Sequence, residues 1–275
     1  MNTICPDINF ILNKINKLET FSFIKISIEF WMLVSKAITN INLYKEDINS
    51  DKFLNKVASN MVTAWEVQKT GRPWKLSQDS FYRILKFIVN KKPNDILFGI
   101  STTGSPKKYP DIISLIEINS FINKTLNEMD IYNASCWKYW AYTGEIHTFF
   151  KNINKNKICV IGPSHLKNFN EKINAKNFNY IEISDKEASL HVMKIKNEII
   201  NHNKKSKDYT IYIIQGGSPA MDFMIQSHEQ LKNACMLDIG RALDIYYYYD
   251  PIKNKFPRWY WGGWADYKPP TWLLK

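Results

Sequence analysis

Short apolar runs that stop at a glycine or a small polar residue, each followed by a helix-forming stretch, constrain this chain more than any other feature. Residues 158–161 run into Gly162-Pro163-Ser164-His165, and residues 180–183 into Ser184-Asp185. Residues 209–214 run into Gln215-Gly216-Gly217-Ser218-Pro219, and residues 234–237 into Asp238-Ile239-Gly240-Arg241. Runs this short, bounded by turn residues, read as buried strands, and the longer periodic stretches between them read as helices. Strands that alternate with helices imply right-handed crossovers and a largely parallel sheet covered on both faces. The expected fold class is therefore α/β and Rossmann-like. Ligands of such open sheets bind outside the carboxyl ends of the strands, which is where these glycine and carboxylate residues fall.

The first half of the chain carries the same elements less regularly. Residues 7–18 read as a short amphipathic helix, 21–27 as an alternating strand, and 28–38 as a helix with Phe30, Trp31, Leu33 and Val34 on its apolar side. Residues 51–66 and 77–88 have helical spacing, the second capped by Ser77 or Asp79, with a turn at Thr70-Gly71-Arg72-Pro73 between them. Residues 95–101 read as a strand leading into the loop Thr102-Thr103-Gly104-Ser105-Pro106, and 111–129 and 134–150 as helices. After Pro251 the pattern changes. Trp259, Tyr260, Trp261, Trp264, Tyr267 and Trp272 alternate with Gly and Pro, giving an irregular aromatic tail over 251–275. With no low-complexity linker and no internal repeat, residues 1–275 are expected to form one compact domain.

A chain of 275 residues with 45% hydrophobic and 14% aromatic content is globular rather than disordered. No apolar run approaches the roughly 18 residues that span a bilayer. The N-terminal stretch places Asp7 early and lacks a basic region with an apolar core behind it, so no secretory signal is read. Cys5, Cys136, Cys159 and Cys235 have neither metal-ligand nor redox spacing, and the last two sit in apolar runs, as reduced thiols do. A cytoplasmic setting follows. The net charge of +11 is mostly Lys in Asn- and Ile-rich segments such as 151–157 and 201–207. It is compatible with anionic partners, but it is diffuse rather than striped, and no nucleic-acid-binding module is recognisable.

The strand ends supply the candidate site. The loops Gly162-Pro163-Ser164-His165 and Gly216-Gly217-Ser218 each join a strand to a helix, where glycine admits close backbone approach and a helix N-terminus favours a phosphate. Neither is a dinucleotide fingerprint or a Walker loop. Asp238, at a strand end with Gly240 behind it, is the strongest carboxylate, and Arg241 is placed to meet a phosphate. Ser27 and Glu29 stand at the first strand-to-helix junction, and Thr103 stands in the loop after the strand at 95–101. A carboxylate at position 29 is suited to ligating Mg²⁺ or Mn²⁺ beside a diphosphate, to acting as a general base, or simply to favouring the helix dipole.

Taken in order, these junctions resemble the glycosyltransferases of the GT-D fold, a bacterial family first described as a domain of unknown function. That family opens with a strand ending in an Arg-Phe-Gly-Asp-Gly-Glu-like motif, whose Asp-x-Glu serves the metal and the sugar nucleotide. It continues through Val-Gly-Pro-like and Gly-Pro-Thr-Ala-like strand ends to a final Ile-Asp-Ile-Gly-His segment. Residues 23–29, Val160-Ile161-Gly162-Pro163, Gly216-Gly217-Ser218-Pro219-Ala220 and Leu237-Asp238-Ile239-Gly240-Arg241 follow the same order. The resemblance implies transfer of a sugar from a nucleoside-diphosphate sugar, such as a UDP-sugar, to a carbohydrate or glycosylated acceptor in glycan biosynthesis. It implies catalytic roles for Glu29 and Asp238. It also implies donor contacts from Ser27, Thr103, Gly162, Pro163, Ser164, His165, Gly216, Gly217, Ser218 and Arg241. Three departures stand out: Ser27 replaces the first Asp of Asp-x-Glu, Ile26 the preceding Gly, and Arg241 the late His. Glu29 is then the sole motif ligand for Mn²⁺ or Mg²⁺. In a metal-independent transferase, Arg241, Lys25 or loop N–H groups would stabilise the leaving diphosphate. The alternatives are a basic nucleic-acid-binding protein and another enzyme built on a nucleotide-sugar site.

Overall fold

The computed structural model describes residues 3–4, 6–39, 41, 47, 49–67, 76–90, 95–100, 130–184 and 190–247. The turn at Thr70–Pro73, the loop carrying Thr103, the helix read at 111–129 and the aromatic tail lie outside the described residues. The strands are β1 (Thr3–Ile4), β2 (Phe21–Ile26), β3 (Ile96–Ile100), β4 (Ile131–Asn133), β5 (Lys157–Gly162), β6 (Phe178–Glu182), β7 (Thr210–Ile214) and β8 (Ala234–Asp238). They form one sheet in the order β1-β4-β3-β2-β8-β7-β5-β6, and each of its pairings is parallel. The helices are α1 (Ile8–Asn16), α2 (Ile28–Ile38), α3 (Asp51–Val67), α4 (Gln78–Asn90) and α5 (Cys136–Thr143). They continue with α6 (Glu145–Ile153), α7 (Phe169–Ile173), α8 (Val192–Lys205) and α9 (Ser218–His228).

Side chains alternate across the strands with period 2, so each strand from β2 to β8 feeds two cores. Ile24, Ile26, Cys159, Ile161, Tyr212, Ile214 and Met236 face the core beneath α2, α3, α4, α8 and α9. Phe21, Phe23, Ile158, Val160, Ile211, Ile213, Cys235 and Leu237 face the core beneath α1, α5, α6 and α7. A strand buried on both sides is apolar along most of its length, which is why residues 211–214 of β7 and 234–237 of β8 read as unbroken runs. Cys136, Cys159 and Cys235 are buried thiols, and burial pushes those of Cys159 and Cys235 up to about 12, so both stay protonated.

Local chemistry sets the element ends. Asp7 caps α1 by accepting from Phe10 N at 2.7 Å. Ser77, not Asp79, caps α4 through Ser80 N at 3.1 Å. The helix read at 134–150 is two helices. Gly144, at φ 87°, ends α5 and starts α6, a left-handed turn that glycine enters without steric cost. Two strands, β1 and β4, escape pattern reading because two or three residues cannot display a period.

One ion pair ties the helices of the first core together. Asp222 on α9 is fully buried and takes a fork from Arg83 on α4, Nε to Oδ1 at 3.0 Å and Nη2 to Oδ2 at 2.6 Å. Gln226 Nε2 donates to the same Oδ1 at 2.8 Å. The hydrogen bond to Asp222 raises the Arg83 pKa further. Replacing Arg83 with Met strands a buried carboxylate and is expected to cost about 3 kcal/mol in urea unfolding, while adding Asp222→Leu restores most of the loss. A single variant as stable as wild type would show that the pair is not needed.

Candidate active site at the carboxyl ends of the central strands

The connections part above the middle of the sheet. After β5 the chain enters a 3₁₀ turn (Ser164–Leu166) and α7 on one face; after β7 it enters α9 on the other. After β8 it turns to the α7 side through a 3₁₀ turn (Ala242–Tyr246), whereas β2 leads to α2 on the α9 side. Adjacent parallel strands whose continuations leave toward opposite faces open a crevice at their carboxyl ends. Here the alternation runs across four neighbouring strands, β2, β8, β7 and β5, and the candidate residues sit on their ends.

Asp238 ends β8 at 3% exposure. Burial raises its pKa to about 6, against the opposing pull of the Lys25 charge and of the Gly240 and Lys25 backbone N–H groups. Its Oδ1 accepts from Gly240 N at 3.0 Å. Gly240 has φ 56°, and a Cβ built on it would lie 3.2 Å from Lys25 Nζ. Glycine at 240 therefore serves twice: it takes the left-handed turn, and it leaves room for a lysine beside a buried carboxylate. Ser27 is the N-cap of α2, its Oγ accepting from Phe30 N at 3.2 Å. Glu29 falls in the first turn of α2, and its side chain lies outside the described atoms.

The two glycine loops differ from the reading that ligand approach explains them. A Cβ on Gly162 would meet Leu166 Cδ1 at 2.7 Å, and one on Gly216 would meet Ile183 Cδ1 at 3.0 Å and Ala220 Cβ at 3.1 Å. The protein's own packing fills the space these glycines leave. Gly217 is different: it is exposed, with φ 62° and ψ −154°, a conformation essentially reserved for glycine, and it delivers the chain to the N-terminus of α9. Pro163 and Ser164 form the entry to the 3₁₀ turn, with Ser164 exposed, and Ser218 opens α9.

Asp244 is the residue that sequence reading passed over. It is 1% exposed and gathers three loops. Gln215 Nε2 donates to Oδ1 at 2.5 Å, Arg241 Nε donates to Oδ2 at 2.7 Å, and His165 Nε2 stands 3.4 Å from Oδ1. His165 and Arg241, both expected at the site, are thus brought together from the ends of β5 and β8 by an unexpected carboxylate. The available signal was the Arg241/Asp244 spacing, which places opposite charges on neighbouring positions of one turn. Gln215 Oε1 and the Tyr247 hydroxyl are buried with no hydrogen-bond partner among the described residues. A buried acceptor left unpaired costs about 1–3 kcal/mol, so Oε1 is an atom that an incoming N–H or O–H would complete. The His165 ring stands edge-on to Tyr247 at 5.3 Å, closing one side of the cluster.

Among the described residues no group of three or more His, Cys, Asp or Glu is placed to hold an ion. The charge that acts on Asp238 is that of Lys25 rather than a second carboxylate, and a nearby ammonium opposes a bound cation. The described donors alone do not make a Mn²⁺ or Mg²⁺ site, and Glu29, the ligand the motif implies, has its side chain outside the described atoms. A Ser–His–Asp line also occurs, with Ser22 Oγ 2.7 Å from His228 Nδ1 and His228 Nε2 2.9 Å from Asp95 Oδ2. It lies at the amino end of β2 with Ser22 fully buried, so it is a structural tie rather than a nucleophile. Among the described residues no helix is long and apolar enough to cross a membrane.

No family model matches this sequence, and no curated protein matches it. Solved structures do. A selenomethionine-substituted domain of unknown function 1792 superposes with a TM-score of 0.50 at 11% identity, over 90% of this chain and 81% of that one. The same domain, described as having a distinct glycosyltransferase fold, also gives 0.50 at 11% identity over 90% and 81% of the two chains. A glycosyltransferase of this domain type from Streptococcus sanguinis gives 0.49 at 11% identity, over 88% and 82%. This chain has the fold of domain of unknown function 1792, the GT-D architecture that its junction motifs resemble.

Asp238 carries a pH signature. Burial holds its folded pKa at about 6, above the ordinary carboxylate value near 4, so its contribution to stability is full below about pH 4 and is lost as pH rises through 6. Asp238→Asn is therefore expected to stabilise the protein at pH 7.5 by up to about 2–3 kcal/mol, with the gain vanishing near pH 4. Equal melting temperatures at both pH values would refute a buried, strained charge at this position.

Proposed function

We propose that this protein is a glycosyltransferase that takes a sugar from a nucleoside-diphosphate sugar, of the UDP-sugar type, and passes it to a carbohydrate or glycosylated acceptor in cytoplasmic glycan biosynthesis. The observation that carries this reading is the convergence of Lys25, Asp238, Arg241 and His165 on the parted strand ends of a glycosyltransferase fold.

The chemistry fits those groups. The acceptor oxygen attacks the anomeric carbon, the bond from that carbon to the donor phosphate breaks, and the diphosphate leaves with the electron pair. Charge grows on the phosphate oxygens, so fixed cations and helix-start dipoles near them favour the transition state over the ground state. Lys25 and Arg241 supply the cations, and the Gly217-Ser218 entry to α9 supplies the dipole end. The Asp238 carboxylate, already desolvated, is suited to orienting a donor hydroxyl while its partner Lys25 neutralises phosphate. Glu29, at the first turn of α2, is the base proposed to take the acceptor proton. Ser27, Thr103 and the Gly162-Pro163-Ser164 turn border the donor in this reading, and residues 1–275 act as one domain.

A thermal-shift screen of nucleoside diphosphates and their sugars, with and without Mn²⁺ or Mg²⁺, tests the reading. A ligand at 100 times its dissociation constant stabilises the native state by about 2.7 kcal/mol, a visible shift. One nucleotide family should stand out, and Glu29→Gln and Asp238→Asn should each lower transfer from that donor by about 10²-fold or more while leaving a folded protein. No shift with any nucleotide would sink the transferase reading. Full turnover in both variants would sink the site assignment alone.

A further inference from the structure

Asp244 has a geometry that packing alone does not call for. A carboxylate 1% exposed, placed among three loops at the carboxyl ends of β5, β7 and β8, takes one donor from each of two of them and faces a third. Each contact fixes something a ligand would meet. Arg241 has a side chain 47% exposed, and its Nε is held at 2.7 Å on Oδ2. A guanidinium tied at Nε is a plane of set orientation rather than a mobile charge, which is the form that recognises phosphate through paired N–H donors. Gln215 is 7% exposed, and its amide orientation follows from the same carboxylate. Were the amide reversed, its oxygen would face Oδ1 and the two acceptors would repel. Oε1 is therefore turned from Asp244, buried and without a hydrogen-bond partner among the described residues. Phosphate oxygens are acceptors and cannot complete it, whereas a sugar hydroxyl or a base N–H can.

We propose that Asp244 is a positioning residue that sorts the two ends of the donor, aligning Arg241 on the diphosphate and presenting Gln215 Oε1 to a hydroxyl or N–H of the group beside it. The inference rests on the transferase reading and adds to it a residue outside the junction motifs, together with a polarity for the bound donor. Asp244 touches neither phosphate nor sugar in this arrangement; it acts through Arg241 and Gln215.

The test is calorimetric titration of the intact protein with UDP, GDP, ADP, CDP and dTDP, each beside its nucleoside. For the diphosphate that wild type binds, Asp244→Asn should weaken binding by at least tenfold and leave the nucleoside's affinity unchanged. Arg241→Lys should weaken the same diphosphate comparably, and the double variant should be no weaker than the worse single one, because one residue acts through the other. Unchanged diphosphate affinity in Asp244→Asn, equal loss for nucleoside and diphosphate, or multiplying losses in the double variant would each overturn the proposal while the transferase reading stands. Should Asp244→Asn fail to fold, Arg241→Lys carries the test, and full diphosphate affinity in it overturns the proposal. Wild type that binds none of the five diphosphates overturns the transferase reading and this inference with it.

Discussion

The need to cover both faces of a parallel sheet governs this molecule. The central strands are apolar on two sides, so every return crossover must cover one face or the other. Where neighbouring strands choose opposite faces, their exits diverge at the sheet's carboxyl edge. In this chain that happens between β5 and β7, between β7 and β8, and between β8 and β2. The candidate site is thus a by-product of how the core is closed. No additional element is needed to build it, and the residues that line it are whichever ones the strands happen to end on.

Three buried carboxylates show how differently one side chain is treated within one fold. Asp222 lies between α4 and α9 and is fully satisfied by a bidentate arginine and a glutamine. Asp244 is likewise paired, but its partners come from loops and face the crevice. Asp238 has a backbone donor and a lysine nearby, and burial still dominates, holding its proton affinity above that of an ordinary carboxylate. Native stability is a margin of several kcal/mol, so a carboxylate held at a cost is more informative about function than one held at a profit. By that measure Asp222 is fully offset by its partners, whereas the burial of Asp238 is not.

Much of this was legible in the amino-acid sequence because the second half is regular. Strands at 157–162, 210–214 and 234–238 are buried on both faces and end in turn residues, so type, order and rim could be read together, whereas the edge strand at 178–182, only partly buried, was read two residues late at its start. The likeness in fold to domain of unknown function 1792 agrees with the order of those junctions. What escaped did so for physical reasons. The break at Gly144 hid inside a continuous apolar pattern, because the two short helices bury the same face against the same core. β1 and β4 are too short to carry a period. Asp244 was missed because its role depends on Gln215 and His165, distant in sequence and joined only when β5 and β7 pair in register.

The crowding around Gly162 and Gly216 has an evolutionary corollary. Side chains of the core occupy the volume a Cβ would need, so selection for folding alone would retain both glycines, even in a descendant that had lost all activity. Their presence is no sign of a working enzyme. The buried Asp238, with the Lys25 charge in its neighbourhood, is the opposite case, since drift in an inactive lineage would trade that carboxylate for an uncharged, better-tolerated side chain. Among related chains, position 238 and position 25 are where live and dead descendants should part company.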